Sequence, residues 1–218
     1  NRIAGDGWTY GTDAIIGIRI PSANTVRIHN NTVCMGYAPT GYNIGTVSAC
    51  VAVSGSSSNV DLVGNILCNN IVNNASTTAK TYAVYIAGLT NVSSANFNNY
   101  MVSGSQGVLG YLAADYATLA AYKAFNPADS SISRNVIFVD TANGNLHLAG
   151  VSVGDYYLRC KGSIATADID GDSRATAWPY MGCDESTAKP LTVSFGFSAS
   201  TYSICANSVL GSAPTLGY

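Results

Sequence analysis

Three aspartates at alternating positions, Asp168, Asp170 and Asp172, are the first residues whose spacing could do chemistry, here the ligation of a cation. A calcium loop of the EF-hand kind needs a glycine at its sixth position and a glutamate at its twelfth. Counted from Asp168, those positions hold Ser173 and Pro179, so the run reads better as a turn. Asp170 or Asp172 pairing with Arg174 would give the charges a structural reason. Calcium on Asp168, Asp170 and Asp172 is therefore a weak candidate, and no other cofactor is implied. His29 and His147 lie in different segments, and neither has a nearby serine or cysteine with an aspartate partner. Both are expected at the surface or at corners rather than as catalytic bases.

Six cysteines, Cys34, Cys50, Cys68, Cys160, Cys183 and Cys205, occur without a Cys-x-x-Cys pair. Zinc sites usually announce themselves by such close pairs, so no thiolate metal site is expected. An oxidising, extracytoplasmic compartment is the better reading. Cys160 and Cys183 are the pair expected to form a disulfide, tying late strands to a closing turn. Asn30, Asn74 and Asn91 open Asn-x-Ser/Thr triplets, which arise by chance in a chain so rich in these residues. The 14 tyrosines could stack on sugar rings, with Tyr37, Tyr42 and Tyr82 in predicted loops, or could pack over corners.

The elements that must hold these groups are strands. Charged residues make up only 10% of the 218, and Glu185 is the one glutamate, so the stretches that long helices need are missing. Gly, Ser, Thr, Asn, Val, Ile and Tyr dominate, the vocabulary of strands and turns. A net charge of −2 with scattered Lys and Arg argues against nucleic acid as a partner. No apolar run approaches the roughly 20 residues that span a bilayer.

A repeat organises the first half. Ile18, Ile20, Val26, Ile28 and Val33 recur as Val51, Val53, Val60, Leu62 and Leu67, and again, less completely, as Val84, Ile86 and Val92. Marker asparagines at 1, 31, 65 and 99 are spaced 30, 34 and 34 residues apart. Each unit is a set of short strands with alternate residues inward, joined by Gly, Ser and Asn corners. No unit could bury its apolar face alone, and stacking successive units as parallel coils gives a shared core. Asn31, Asn65 and Asn99 are then expected to form an amide ladder at one corner. Cys34 and Cys68, each three residues after a marker, should occupy equivalent points on adjacent coils, as a disulfide or as a free thiol pair. Loops over 37–49 and 73–81 take up the excess length. Leu112 to Phe125 reads as the one helix, with Asp115 as its N-cap and Asn126-Pro127 as its stop. Short strands are expected around 136–139, 146–148 and 156–159.

These features resemble the right-handed parallel β-helix proteins of the pectate-lyase-like superfamily, in the variant found on large bacterial surface proteins. The match is carried by the Asn-x-hydrophobic corner, by the helix around Tyr116–Lys123 followed by Ser131–Asp140 and Asn145–Leu148, and by Asp168–Arg174 ahead of Met181–Glu185. Cys183 stands where that family commonly has a small residue. The resemblance implies an all-β solenoid with one short helix and a C-terminal capping segment. Residues 1–104 would be coils, and 105–189 the last coils, helix and closing cap. Residues 190–218 are similar to the first strand of an immunoglobulin-like module, in which Cys205 would find its partner. The resemblance also implies a secreted, cell-surface location reached by the type IX route, with further domains of the same polypeptide as neighbours.

Enzymes built on this architecture need carboxylates to hold a cation and a Lys or Arg to abstract a proton, or two carboxyl groups about 5–9.5 Å apart. The outward positions expected from the repeat are Arg19, Ala52 and Tyr85 in one column and Arg27, Asp61 and Ser93 in another. Neither gathers acids, and Arg27 over Asp61 reads as a cross-strand ion pair. No catalytic residue is assigned. The reading is a non-catalytic structural or adhesive segment that binds polysaccharide or surface glycan; the alternative is a portion of a polysaccharide lyase or glycoside hydrolase.

Overall fold

The computed structural model of the chain describes residues 2–6, 14–37, 47–71 and 78–186. Its first strands are β1 (Arg2–Asp6), β2 (Ile15–Ile20), β3 (Asn24–His29), β4 (Thr32–Tyr37), β5 (Val47–Val53) and β6 (Ser58–Val63). They are followed by β7 (Ile66–Asn69), β8 (Lys80–Ile86), β9 (Val92–Asn96), β10 (Asn99–Val102) and β11 (Gly107–Leu112). Successive strands fall in rotation into three sheets, β1-β4-β7-β10, β2-β5-β8-β11 and β3-β6-β9. Every neighbouring pair among them is parallel. The described protein is mostly β. Ile20, Ile28, Val53, Val60, Leu62 and Ile86 are buried in one core between the sheets, and Val26 and Val92 pack half-buried against it. All eight are the positions that alternation predicts to point inward.

One corner repeats at three levels. Asn30, Gly64 and Phe97, each just before an asparagine, adopt left-handed backbone with φ of 51°, 68° and 53°. Asn and Gly take that conformation readily, whereas a phenylalanine rarely does. The residues that follow form the ladder. Asn31 Nδ2 donates to Asn65 Oδ1 at 3.2 Å, and Asn65 Nδ2 donates to Asn98 Oδ1 at 2.9 Å. The backbone N–H groups of Asn31 and Asn65 reach the same two oxygens at 2.9 and 3.0 Å. Above Asn98 the acceptor for its N–H is Ser131 Oγ, at 2.9 Å.

The third rung is thus Asn98, not Asn99. Ile66 pairs with both Thr32 and Asn99, so Asn99 lies on the strand, one residue past the rung. Its amide instead clasps Arg134, accepting from the backbone N–H at 2.8 Å and donating to the carbonyl at 3.0 Å.

The end of the array differs from the sequence expectation. Leu112 belongs to β11, and β12 (Asp115–Tyr116) folds back antiparallel on it after Ala113 turns left-handed (φ 56°). The helix α1 is only Leu119–Lys123, and its N-cap is Thr118, whose hydroxyl accepts from the Ala121 N–H at 3.2 Å. Asp115 cannot cap it, because its carboxylate holds Lys80 and the Tyr82 hydroxyl. Residues 156–159, expected as a strand, begin with a turn of 3-10 helix, Tyr156–Leu158.

The remaining chain, with β13 (Phe138–Asp140) and β14 (Asn145–Leu148) as an antiparallel hairpin, builds a second core on the outer face of the β1-β4-β7-β10 sheet. Ile66 and Cys68 meet Val136, Leu148, Leu158, Cys160, Tyr180 and Met181 there, while Leu67 faces the first core. Being covered on both faces, this sheet tolerates the unbroken apolar run Ile66, Leu67, Cys68. Gly182 seals the contact: its N–H donates to the Gly64 carbonyl at 2.7 Å. A Cβ there would come within 2.5 Å of Thr32 Oγ1, on a backbone already left-handed at φ 81°. The loop residues 38–46 and 72–77, with Tyr42 and Asn74, and the segment 190–218 with Cys205, lie outside the described residues.

Candidate functional site

The outward side of the β2-β5-β8-β11 sheet carries a column set by strand register: Arg19 pairs with Ala52, Ala52 with Tyr85, and Tyr85 with Tyr111. The Tyr85 and Tyr111 rings stack face to face, 4.3 Å between centroids and 5° between planes. Tyr82 abuts both edge-on, at 5.5 and 6.1 Å. Tyr82 is a buried strand residue, not a loop residue, and its hydroxyl donates to Asp115 Oδ1 at 2.8 Å. Burial, reinforced by the Asp115 carboxylate, pushes the Tyr82 phenol well up, so it stays a proton donor. The Lys80 ammonium beside Asp115 holds that carboxyl below its usual range.

Below Tyr85 the column drops to a methyl group. Ala52 floors an open trough of about 770 Å³, walled by Tyr85 on one side and Arg19 on the other, with Ile16, Val47 and Ser54 along it. Two parallel strand spacings separate the walls, about 9.6 Å. That admits one flat ring on the free face of Tyr85, within reach of the Arg19 guanidinium.

The second outward column reads Arg27, Asp61 and Ser94 rather than Ser93, because the register shifts after Val60. Its expected ion pair is also different. Asp61 Oδ2 meets His29 Nε2 at 2.9 Å, while the Ile164 N–H donates to His29 Nδ1 at 3.3 Å. With Nδ1 accepting, Nε2 carries the proton that Asp61 receives.

Asp168, Asp170 and Asp172 do not converge on one point. Asp168 Oδ1 accepts the N–H groups of Asp170 and Asp172, both at 2.9 Å, and Oδ2 accepts that of Glu185 at 3.0 Å. Asp168 is a turn-forming residue, its carboxyl held low by those bonds against the opposing effect of burial. Asp170 turns away toward His147, which also meets Asp184. Arg174 pairs with Glu185 (3.3 Å), not with Asp170 or Asp172, and donates to the carbonyls of Tyr180 and Gly182 at 3.0 and 2.8 Å. His147, Asp184, Lys80, Asp115 and Tyr111 are the polar or aromatic participants that spacing alone did not bring together.

All five described cysteines are free thiols. Cys160 and Cys183 are not bridged, because they point to different places. Cys160 Sγ faces Gly64 and Asn30, and burial pushes its thiol up to about 11. Cys183 lines a cavity beside His147. Cys34 and Cys68 are register partners, and Cys68 Sγ lies 3.6 Å from Met101 Sδ, the next residue in the column. A hydrogen bond between the two thiols lowers Cys34 and raises Cys68. Asn30 and Asn91 are buried, with amides donating to Tyr180 O (2.8 Å) and Ser57 O (2.5 Å), which leaves neither accessible to a glycosylating enzyme. Between α1 and β9, burial raises the carboxyl of Asp129 in a cavity of about 210 Å³. Comparison with protein-family models, with curated proteins and with solved structures found no match to this chain.

Proposed function

We propose that the chain is a segment of right-handed parallel β-helix from a large secreted bacterial surface protein, and that it binds glycan without transforming it. The rotation of strands through three parallel sheets and the amide ladder support the solenoid reading. The observation that carries the binding reading is the Arg19–Ala52–Tyr85–Tyr111 column. An aromatic wall, a one-residue gap and a guanidinium form a platform for a pyranose ring bearing a carboxylate or sulfate. Lyase or hydrolase chemistry would need several acids on one outward face, whereas each column carries one aspartate, Asp115 beside Tyr111 in the first, already engaged by Lys80 and Tyr82, and Asp61 in the second.

Affinity electrophoresis of the chain in gels containing neutral or uronate-rich polysaccharides tests this. Retardation is expected in the acidic gels. Tyr85→Ala should abolish it, and Arg19→Gln should weaken it about tenfold or more, as expected for the loss of a charged hydrogen bond. Equal mobility of the wild type in every gel, or unchanged retardation of Tyr85→Ala, would remove the proposal. Shortened or unsaturated sugar products in the same incubations would transfer support to the enzyme reading.

A further inference from the structure

We propose that His147, Asp170 and Asp184 form a binding site for a divalent transition-metal ion of the zinc class. The three come from separate segments and are held there by backbone bonds. His147 lies on β14, where Leu146 and Leu148 point into the protein and His147 faces outward. Asp170 sits in the turn that Asp168 fixes by accepting the N–H groups of Asp170 and Asp172, so its own carboxylate is free for another task. Asp184 Oδ2 accepts the Leu148 N–H at 2.8 Å, which aims Oδ1 at the imidazole.

His147 Nδ1 lies 3.3 Å from Asp184 Oδ1 and 3.4 Å from Asp170 Oδ2. One ligand atom from each residue falls within 4.8 Å of the others. These separations are long for charge-assisted hydrogen bonds, which run to about 2.7–2.9 Å. Among the described residues the other histidine–carboxylate contact, His29 with Asp61, closes to 2.9 Å. They do match donors around a tetrahedral ion: bonds of about 2.0–2.2 Å place ligand atoms about 3.3–3.6 Å apart.

Charge points the same way. A single Nδ1 can donate one proton, yet it faces two carboxylates, and among the described residues no Lys or Arg lies within 4.0 Å of either. A cation at the centre would neutralise both. The adjoining cavity of about 240 Å³, lined by Gly144, Asn145, Ile169 and Cys183, leaves room for water in the remaining positions. An imidazole nitrogen is a poor ligand for calcium or magnesium, which prefer all-oxygen shells, and suits zinc. A bound ion would join the β13–β14 hairpin to the closing turn. This site is independent of the glycan trough.

The test is thermal unfolding of the whole chain after chelator treatment, with Zn²⁺, Ca²⁺ or no metal added. At a hundredfold excess over the dissociation constant, Zn²⁺ should raise Tm by about 5–10 °C, and Ca²⁺ should not. Asp170→Asn and His147→Gln should fold with the metal-free Tm of the wild type and lose at least about half of the zinc response, as binding weakened about tenfold or more implies at the same zinc concentration. The Co²⁺ form should lack thiolate charge-transfer bands. A wild type indifferent to zinc, variants that respond like wild type, an equal response to calcium, or cobalt bands from Cys183 would each overturn the proposal.

Discussion

Asn65 uses every hydrogen-bonding group of its side chain while fully buried. Its oxygen takes the backbone and side-chain N–H of Asn31, and its nitrogen serves Asn98 Oδ1 and the Ile28 carbonyl at 2.7 Å. Replacing it with alanine would strand several buried polar groups at about 1–3 kcal/mol each. Asn65→Ala is therefore expected to lose about 3–5 kcal/mol in urea denaturation, the lower end of the additive sum because neighbours relax. At this scale the sequence was legible where type and spacing agree, as at Asn31 and Asn65. It failed at Asn98-Asn99, where two asparagines adjoin and both could continue the series. The third coil is one residue shorter than the second: Val53 already pairs with Ile86, and after the offset tightens at Val60–Val92 a bulge in β9 restores it at Asp61–Ser94, which brings Asn65 to Asn98. Bulges require no particular residue type, so nothing in the composition marked this one.

The closing segment turns on one buried ion pair. Arg174 and Glu185 are both buried, and each also holds backbone: Arg174 through the carbonyls of Ala167, Tyr180 and Gly182, Glu185 through the N–H groups of Ala175 and Tyr180. Arg174→Met would leave Glu185 with only the more distant Arg159 guanidinium, 3.7 Å away, as counter-charge and would free three carbonyls, at a cost of up to about 3–5 kcal/mol. Adding Glu185→Gln to that variant should recover some of the loss, and a double-mutant cycle in chemical denaturation measures it. The sequence placed Arg174 beside Asp170 or Asp172, yet its guanidinium is taken by the Ala167, Tyr180 and Gly182 carbonyls and Glu185, while Asp170 faces His147. Proximity in sequence says little when backbone carbonyls compete for the same guanidinium. The helix was misjudged for a related reason. Leu112, Tyr116, Leu119 and Tyr122 share an apolar spacing, but the edge of β11 offers Asp115–Tyr116 a strand partner, and the Tyr122 ring is left to cover Gly110, where a Cβ would fall 2.7 Å from it. Tertiary pairing outweighed local periodicity.

Across the whole molecule, the repeat and its inward alternation announced the parallel sheets, because burial on one side leaves a period that can be counted. The second layer was not legible. Its apolar residues come from turns and short strands with no shared period, and their common target is a sheet whose outer face looks, in sequence, like any other. Amides of β4, β7 and β10, covered on both sides, should exchange with solvent only through global unfolding. Those of β2 and β3 should exchange faster, and hydrogen–deuterium exchange read by mass spectrometry separates the two; uniform rates would refute the two-layer account. That layer has a mechanical side. Residues 163–182 touch the left-handed corner at three successive levels: Tyr180 O and Ser163 at Asn30, the Gly182 N–H at Gly64, and Trp178 at Phe97. Strands stacked by hydrogen bonds along one axis would separate level by level under tension along that axis. A segment fastened across all three levels must shear before any level can peel, so a load on one is shared by its neighbours.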